Sequence, residues 1–366
     1  MTTPARHVPP CPKPFTDHIV TTIEGVDIPI RVFPGNDNVK GKKPWLFWIH
    51  GGGWVGGKHY IPNVWVHPSF HPLGIHIISV SYRLIPQVKL PDQFSDIQKT
   101  FEWCLTNLPL VLGEDQVDID KYIVGGDSAG GHFSTLCGIK FNPRPSVVLD
   151  LYGVIDLSDK HYSTPTSSSS SPTNIDEDGN GEIKLPFNTP LAEIIEFSKE
   201  LNPKNAVVTS AWTWELLPLM SKEQLELFWG TKYNPSENDK IRMDLNQYYT
   251  QNGTRIRALF GVDQVDDYSQ EEYERLLIQW SPIHLIKDNY PPTVIMHGDN
   301  DVVVPIQESI DFADKLKGLG VDVESIWCEG GGHCFEQSMG SPQDPGWNEY
   351  IVPCIEFVKK HLSLSE

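Results

Sequence analysis

The chain has 366 residues, a formal net charge of −19, and 39% hydrophobic residues including 11 Trp, 12 Tyr and 15 Phe. A chain of this size and aromatic content buries a full core, which excludes a disordered polymer. The acidic balance argues against nucleic acid or an anionic membrane as partner, since both require a positive footprint. Met1 to Phe15 is polar and Pro-rich, without the apolar core of a signal peptide. No later stretch approaches the roughly 18 uninterrupted apolar residues of a membrane span. The six cysteines (Cys11, Cys104, Cys137, Cys328, Cys334, Cys354) are scattered without C-x-x-C spacing, so they read as free thiols and predict a cytoplasmic protein.

In chain order, His18 to Glu24 and Asp27 to Phe33 are two β-like runs split at Glu24-Gly25, an opening antiparallel pair. Trp45 to Ile49 is continuously apolar, as a strand buried on both faces must be, and His76 to Tyr82 is a second such run. Phe94, Ile97, Phe101, Leu105 and Leu108 recur at three- and four-residue steps and predict a helix over about 92–108. Tyr122 to Val124 is a short strand running through Gly125-Gly126 into a helical stretch, and Val147 to Tyr152 is a further strand. This alternation predicts an α/β fold with a doubly wound, mostly parallel sheet.

The pattern then breaks. Ser163 to Ser171 is a Ser/Thr tract followed by the acidic run Asp176 to Gly181, read as a flexible surface excursion. Asp176, Asp178, Asn180 and Gly181 match the first half of a calcium loop, but Phe187 stands where its bidentate Glu belongs, so a solvated loop is the preferred reading and no metal is expected. Residues from Thr189 to about Ile286 are helical and aromatic, predicting an inserted cap. Its aromatics are mostly cap core, while Trp212 and Trp214 are candidates to line a substrate pocket. Alternation resumes with a strand at Thr293 to His297, a helix at Gln307 to Gly318, a strand at Val323 to Cys328, and a helix at Asn348 to Leu362. The expected organisation is a first core segment (1–155), a loop and helical cap (156–286), and a second core segment (287–366).

Gly126-Asp127-Ser128-Ala129-Gly130 matches G-x-S-x-G at a strand-to-helix turn, the setting of a nucleophile elbow. Taken alone the pattern also fits a plain glycine-rich turn. His50-Gly51-Gly52-Gly53-Trp54 follows the strand at 45–49. Its glycines can aim backbone N–H groups of Gly52 and Gly53 with that of Ala129, forming an oxyanion hole. A serine hydroxyl needs an imidazole to take its proton, and the imidazole needs a carboxylate to hold its tautomer. Asp301 and His333 each lie just past a strand, where open α/β sheets place their sites. Asp299 is the alternative acid. His50 reads as a brace for its loop, and His59, His67, His71, His132, His161 and His361 as surface or packing residues.

With these residues in place, the chain resembles an α/β-hydrolase of the hormone-sensitive-lipase-like esterase branch. The His50-Gly-Gly-Gly-Trp54 and Gly126-Asp-Ser-Ala-Gly-Gly131 motifs carry the resemblance, with Tyr82-Arg-Leu-Ile-Pro86, Asp96, Ser281-Pro282, Pro291-Pro292, and the segments around Asp301 and His333. It spans about residues 27–155 and 280–360. It implies Ser128 as nucleophile, His333 as base and then acid, Asp301 as orienter, and Gly52, Gly53 and Ala129 as oxyanion donors, with no cofactor. Gln87 departs from a usual Glu, and Cys334 from a common Gly. The expected reaction is cleavage of a small or medium carboxylic ester. Amides, formamides, lactones, thioesters and acyl transfer use the same machinery, and a catalytically dead small-molecule binder is the rival from another class. The resemblance implies a monomer or a homodimer.

Overall fold

The computed structural model describes residues 10–165, 185–210, 221–232, 236–262 and 268–364. Trp212, Trp214 and the calcium-like run at 176–181 lie outside the described residues. Eight strands form one sheet: β1 (Thr16–Ile23), β2 (Val26–Phe33), β3 (Lys43–Ile49), β4 (His76–Val80), β5 (Val117–Asp127), β6 (Val147–Leu151), β7 (Thr293–Gly298) and β8 (Val323–Cys328). Their spatial order is β1-β2-β4-β3-β5-β6-β7-β8. β1 with β2, and β2 with β4, are antiparallel, and every later pairing is parallel. After β3 the chain goes first to one side, as β4, and then to the other, as β5. The crevice at the carboxyl ends of β3 and β5 is therefore the switch point where such sheets bind ligands.

Period-two alternation assigns the two faces. Trp45, Phe47 and Ile49 of β3 join one core cluster, and Leu46 and Trp48 the other. The first face is covered by α2 (Leu90–Leu112), α3 (Ala129–Lys140) and α10 (Ile306–Gly318), and the second by α1 (Val66–Phe70) and α11 (Val352–Leu362). Helix α2 is longer than its periodicity suggests. It begins with Pro91 in the first turn, where no N–H is needed. It also runs through Pro109 to Leu112, because Val111 and Leu112 still pack on the core and Gly113 (φ 106°) supplies the stop. The last helix likewise opens with a wide turn at Trp347–Ile351 before α11.

Between β6 and β7 lie α4 (Leu191–Ser198), α5 (Lys222–Trp229), α6 (Glu237–Asn252), α7 (Arg255–Phe260), α8 (Gln270–Trp280) and α9 (Pro282–Leu285). No strand occurs here among the described residues; a single bridge pairs Gly57 with Ser210. Ser221, Ser236 and Ser269 open α5, α6 and α8 with reciprocal capping boxes. Gly230, Gly253 and Gly261 close α5, α6 and α7 in the left-handed region. Helix α6 is tied to the sheet by Arg242, which donates to the carbonyls of Val55 (3.1 Å) and Ile85 (2.6 Å) and to Gln87 Oε1. Gln87 in turn donates to Glu200 Oε2 at 2.8 Å. A Glu at position 87 would set two carboxylates against each other, so the amide suits this neighbourhood.

Candidate functional site

Ser128 stands between β5 and α3 with φ 53° and ψ −118°, a backbone state that costs on the order of 1–3 kcal/mol and persists only when its surroundings enforce it. Its N–H donates to Leu151 O at 2.8 Å. The flanking glycines are sterically required: a Cβ on Gly126 would lie 2.4 Å from Gly130 O, and one on Gly130 2.1 Å from Ile49 O. The first turn of α3 directs its free N–H groups, beginning with Ala129, toward the serine end of the helix.

His333 Nε2 lies 3.1 Å from Ser128 Oγ, and His333 Nδ1 lies 2.6 Å from Asp301 Oδ2. A carboxylate can only accept, so Nδ1 carries the proton and Nε2 is left to accept from the serine hydroxyl. Asp301 is anchored on both oxygens. Oδ1 accepts from Val303 N (2.8 Å) and Val304 N (3.0 Å), and Oδ2 also from His297 Nε2 (3.1 Å). Burial alone would raise this carboxyl. The hydrogen bonds from His297 and His333, the His333 charge and the Val304 N–H outweigh burial and hold it well below the usual range. Asp299, the alternative acid, instead accepts from Gly330 N at 2.6 Å.

The His50–Trp54 loop follows β3 directly. Gly51 N donates to Asp127 Oδ1 (3.1 Å), while Val55 N and Gly56 N both donate to Gly52 O. Gly52 and Gly53 adopt φ 115° and 60°, and their own N–H groups donate to no protein group among the described residues. His50 braces this turn: its Nδ1 bonds Gly51 O at 2.8 Å, and its ring stacks on Tyr82 at 4.5 Å. Burial lowers its pKa to about 4, so it stays uncharged at neutral pH. Ile49 pairs with Gly126 across β3 and β5, which brings this loop beside Ser128.

Residues 46–178 match the α/β hydrolase fold family, and residues 242–363 match the prolyl oligopeptidase family. Among solved structures, the apo form of esterase 2 from Thermogutta terrifontis superposes with a TM-score of 0.57 at 16% identity, covering 99% of both chains. The same esterase phosphonylated by sarin gives 0.55 at 16% identity over 99% of both chains. The chain has the α/β-hydrolase fold. A non-reducing polyketide synthase of Acremonium egyptiacum is 25% identical over 352 residues, which is 93% of this chain and 15% of the synthase. Arylacetamide deacetylase of Bos taurus is 32% identical over 127 residues, covering 34% of this chain and 31% of that protein. The chain thus spans a small fraction of the synthase and matches the deacetylase over about a third.

Several residues around the proposed triad were not singled out by motif. Tyr152 (φ 40°) sets its ring 4.7 Å from that of His333 and donates to Glu336 Oε1 at 2.6 Å. Asn63 Nδ2 donates to the same oxygen at 2.7 Å. Burial raises the Glu336 carboxyl to about 7. Glu308, also raised to about 7 by burial, accepts from Ile155 N, Asp156 N and Tyr162 Oη. Only proximity in sequence hinted at Glu336, three residues past His333. His297 was visible as part of the strand before Asp301, but its contact with the acid needs the fold. Cys334 takes φ 63°, the backbone state that explains a Gly as the commoner residue there. His59 and His132 are buried, the latter bonded to Trp280 O at 2.8 Å. Among the described residues no cluster of three His, Cys, Asp or Glu could hold a metal, and no helix is long and apolar enough to cross a membrane.

Proposed function

We propose that this chain is a serine hydrolase that cleaves small to medium carboxylic esters through an acyl-enzyme. The observation that carries the reading is the continuous path Ser128 Oγ to His333 Nε2 (3.1 Å) and His333 Nδ1 to Asp301 Oδ2 (2.6 Å). Ser128 Oγ attacks the acyl carbon as its proton passes to His333 Nε2. The carbonyl oxygen becomes an oxyanion held by the N–H groups of Gly52, Gly53 and Ala129, a contribution typically about 3–4 kcal/mol per donor. His333 then protonates the departing alkoxide, and Asp301 stabilises the imidazolium without taking its proton. Water, deprotonated by His333, attacks the acyl-serine and the acid leaves.

Similar proteins support the class: an esterase among solved structures, and a deacetylase over about a third of this chain. A second reading, acyl transfer or thioester cleavage by the same three residues, is favoured by the match to polyketide synthases over most of this chain. The reaction needs no cofactor. The six cysteines form no disulfide, which supports a reducing, cytoplasmic setting. The division at about 155 and 286 is proposed as core, cap and core.

The test is hydrolysis of p-nitrophenyl esters from acetate to decanoate by the intact chain and by Ser128→Ala. Turnover that vanishes in the variant and peaks at short or medium chains is the expected result. An ester activity that survives loss of Ser128 would sink the proposal. Fluorophosphonate labelling without ester turnover would favour the thioester or transfer reading.

A further inference from the structure

We infer that Arg255 forms an anion subsite beside the proposed oxyanion loop, and that the substrate is an ester carrying a carboxylate a few bonds from the scissile carbonyl. The substrate part of this inference rests on the hydrolase reading above; the anion subsite itself does not.

Four arginines of this protein lie deep in the structure. Arg31 is paired with Asp17 at 2.7 Å, and Arg83 forms a two-point pair with Asp96, each contact 2.8 Å. Arg242 spends its nitrogens on Asn238, Val55, Ile85 and Gln87. Arg255 differs. Among the described residues only its Nη2 is engaged, with Asn246 O at 2.9 Å and Thr250 Oγ1. Its buried Nε has no partner, and no carboxylate pairs with the guanidinium among the described residues. A buried charge without a counter-ion is expensive, costing several kcal/mol, and burial accordingly lowers the guanidinium pKa to about 10. It remains fully charged at neutral pH. Its Nη1 edge still carries uncommitted N–H donors, which can make a charge-assisted bond to a carboxylate.

The position of that edge is informative. A Cβ on Gly53 would lie 3.0 Å from Arg255 Nη1 and 2.6 Å from Asn246 Oδ1, so both side chains rest against the proposed oxyanion loop. Arg255 is deeply placed and yet, like Asn246 and Ser128, keeps some accessible surface, so these residues border open space rather than closed packing. A substrate carboxylate entering that space would supply the missing counter-charge. The competing account is a brace, in which Arg255 only fastens the end of α6 to the loop.

The test compares p-nitrophenyl hydrogen glutarate with p-nitrophenyl valerate, which share a five-carbon acyl chain and differ by a terminal carboxylate. The ratio of their kcat/KM values is expected to fall at least about tenfold in Arg255→Met, as loss of a charge-assisted pair requires. A ratio unchanged within about twofold, with or without a common fall in both rates, means a brace and overturns the inference. Should the Met variant not fold, Arg255→Gln removes the charge while keeping a polar amide, and the same ratio decides. If the wild-type chain cleaves neither ester, the hydrolase reading fails separately. The subsite is then judged by glutarate, which must raise the wild-type Tm and not that of the variant; no wild-type rise rejects it.

Discussion

His297 Nε2 donates to the same Asp301 oxygen that orients His333, at 3.1 Å against 2.6 Å. One carboxylate oxygen is thus shared by two imidazoles, and its partner oxygen is held by the N–H groups of Val303 and Val304. The acid cannot swing away from His333 without breaking four contacts. Replacing it by Asn keeps the shape but offers an N–H where His333 needs an acceptor. Asp301→Asn is expected to lower kcat by roughly 10³–10⁴-fold with a small change in KM, as loss of the correct tautomer does elsewhere. Steady-state kinetics on p-nitrophenyl butyrate checks it; a loss below tenfold would remove Asp301 from the proposed triad.

The same carboxylate predicts behaviour in acid. Its folded pKa is depressed below the ordinary value of 3.8, so the stability it contributes is present above that value and is lost as pH falls through the folded one. His297→Ala removes one of the donors that depress it. The variant is expected to unfold at a higher pH than the wild type on acid titration, and to lose on the order of 1.5–3 kcal/mol at neutral pH. Tryptophan fluorescence across the titration gives both quantities, and coincident acid transitions would contradict the assignment.

Glu336 carries the opposite sign. Its folded carboxyl is raised from 4.5 to about 7 by burial, so the folded state favours its proton. That stabilisation is complete below about 4.5 and is lost as pH rises through about 7. Glu308 and Asp150, both raised to about 7 by burial, act in the same direction. Glu336→Gln removes one of three such groups while keeping an acceptor for Tyr152 and Asn63. The wild type is expected to lose Tm between pH 5 and pH 8, and the Gln variant to lose less. Equal slopes in the two proteins would show that Glu336 does not titrate in this range.

Gly130 tests the elbow. A Cβ there would stand 2.1 Å from Ile49 O and 2.7 Å from His50 O, both backbone atoms that cannot turn aside. Gly130→Ala is expected to cost more than about 3 kcal/mol, since overpacking against backbone must displace β3 or α3. Urea unfolding measures the loss; a cost under 1 kcal/mol would mean that the turn relaxes easily.

The sheet was legible because its central strands are buried on both faces and so read as unbroken apolar runs, as in Trp45 to Ile49. The elbow was legible because its glycines are spaced by a steric demand. The ends of α2 were not, since Pro109 reads locally as a stop while Val111 and Leu112 continue to pack. The roles of Tyr152 and Glu336 were not legible for a related reason: each approaches the proposed triad only through the sheet order β5-β6-β7-β8, and neither carries a spacing signal of its own. Arg255 is further removed still, because its meaning lies in the partner it lacks.

The most direct test of the central claim is reaction of the folded protein with a fluorophosphonate, with the modified residue mapped by mass spectrometry. A single adduct on Ser128 is expected, absent from Ser128→Ala and strongly slowed in His333→Ala. No adduct on Ser128, or equal labelling without His333, would show that this serine is not activated as proposed.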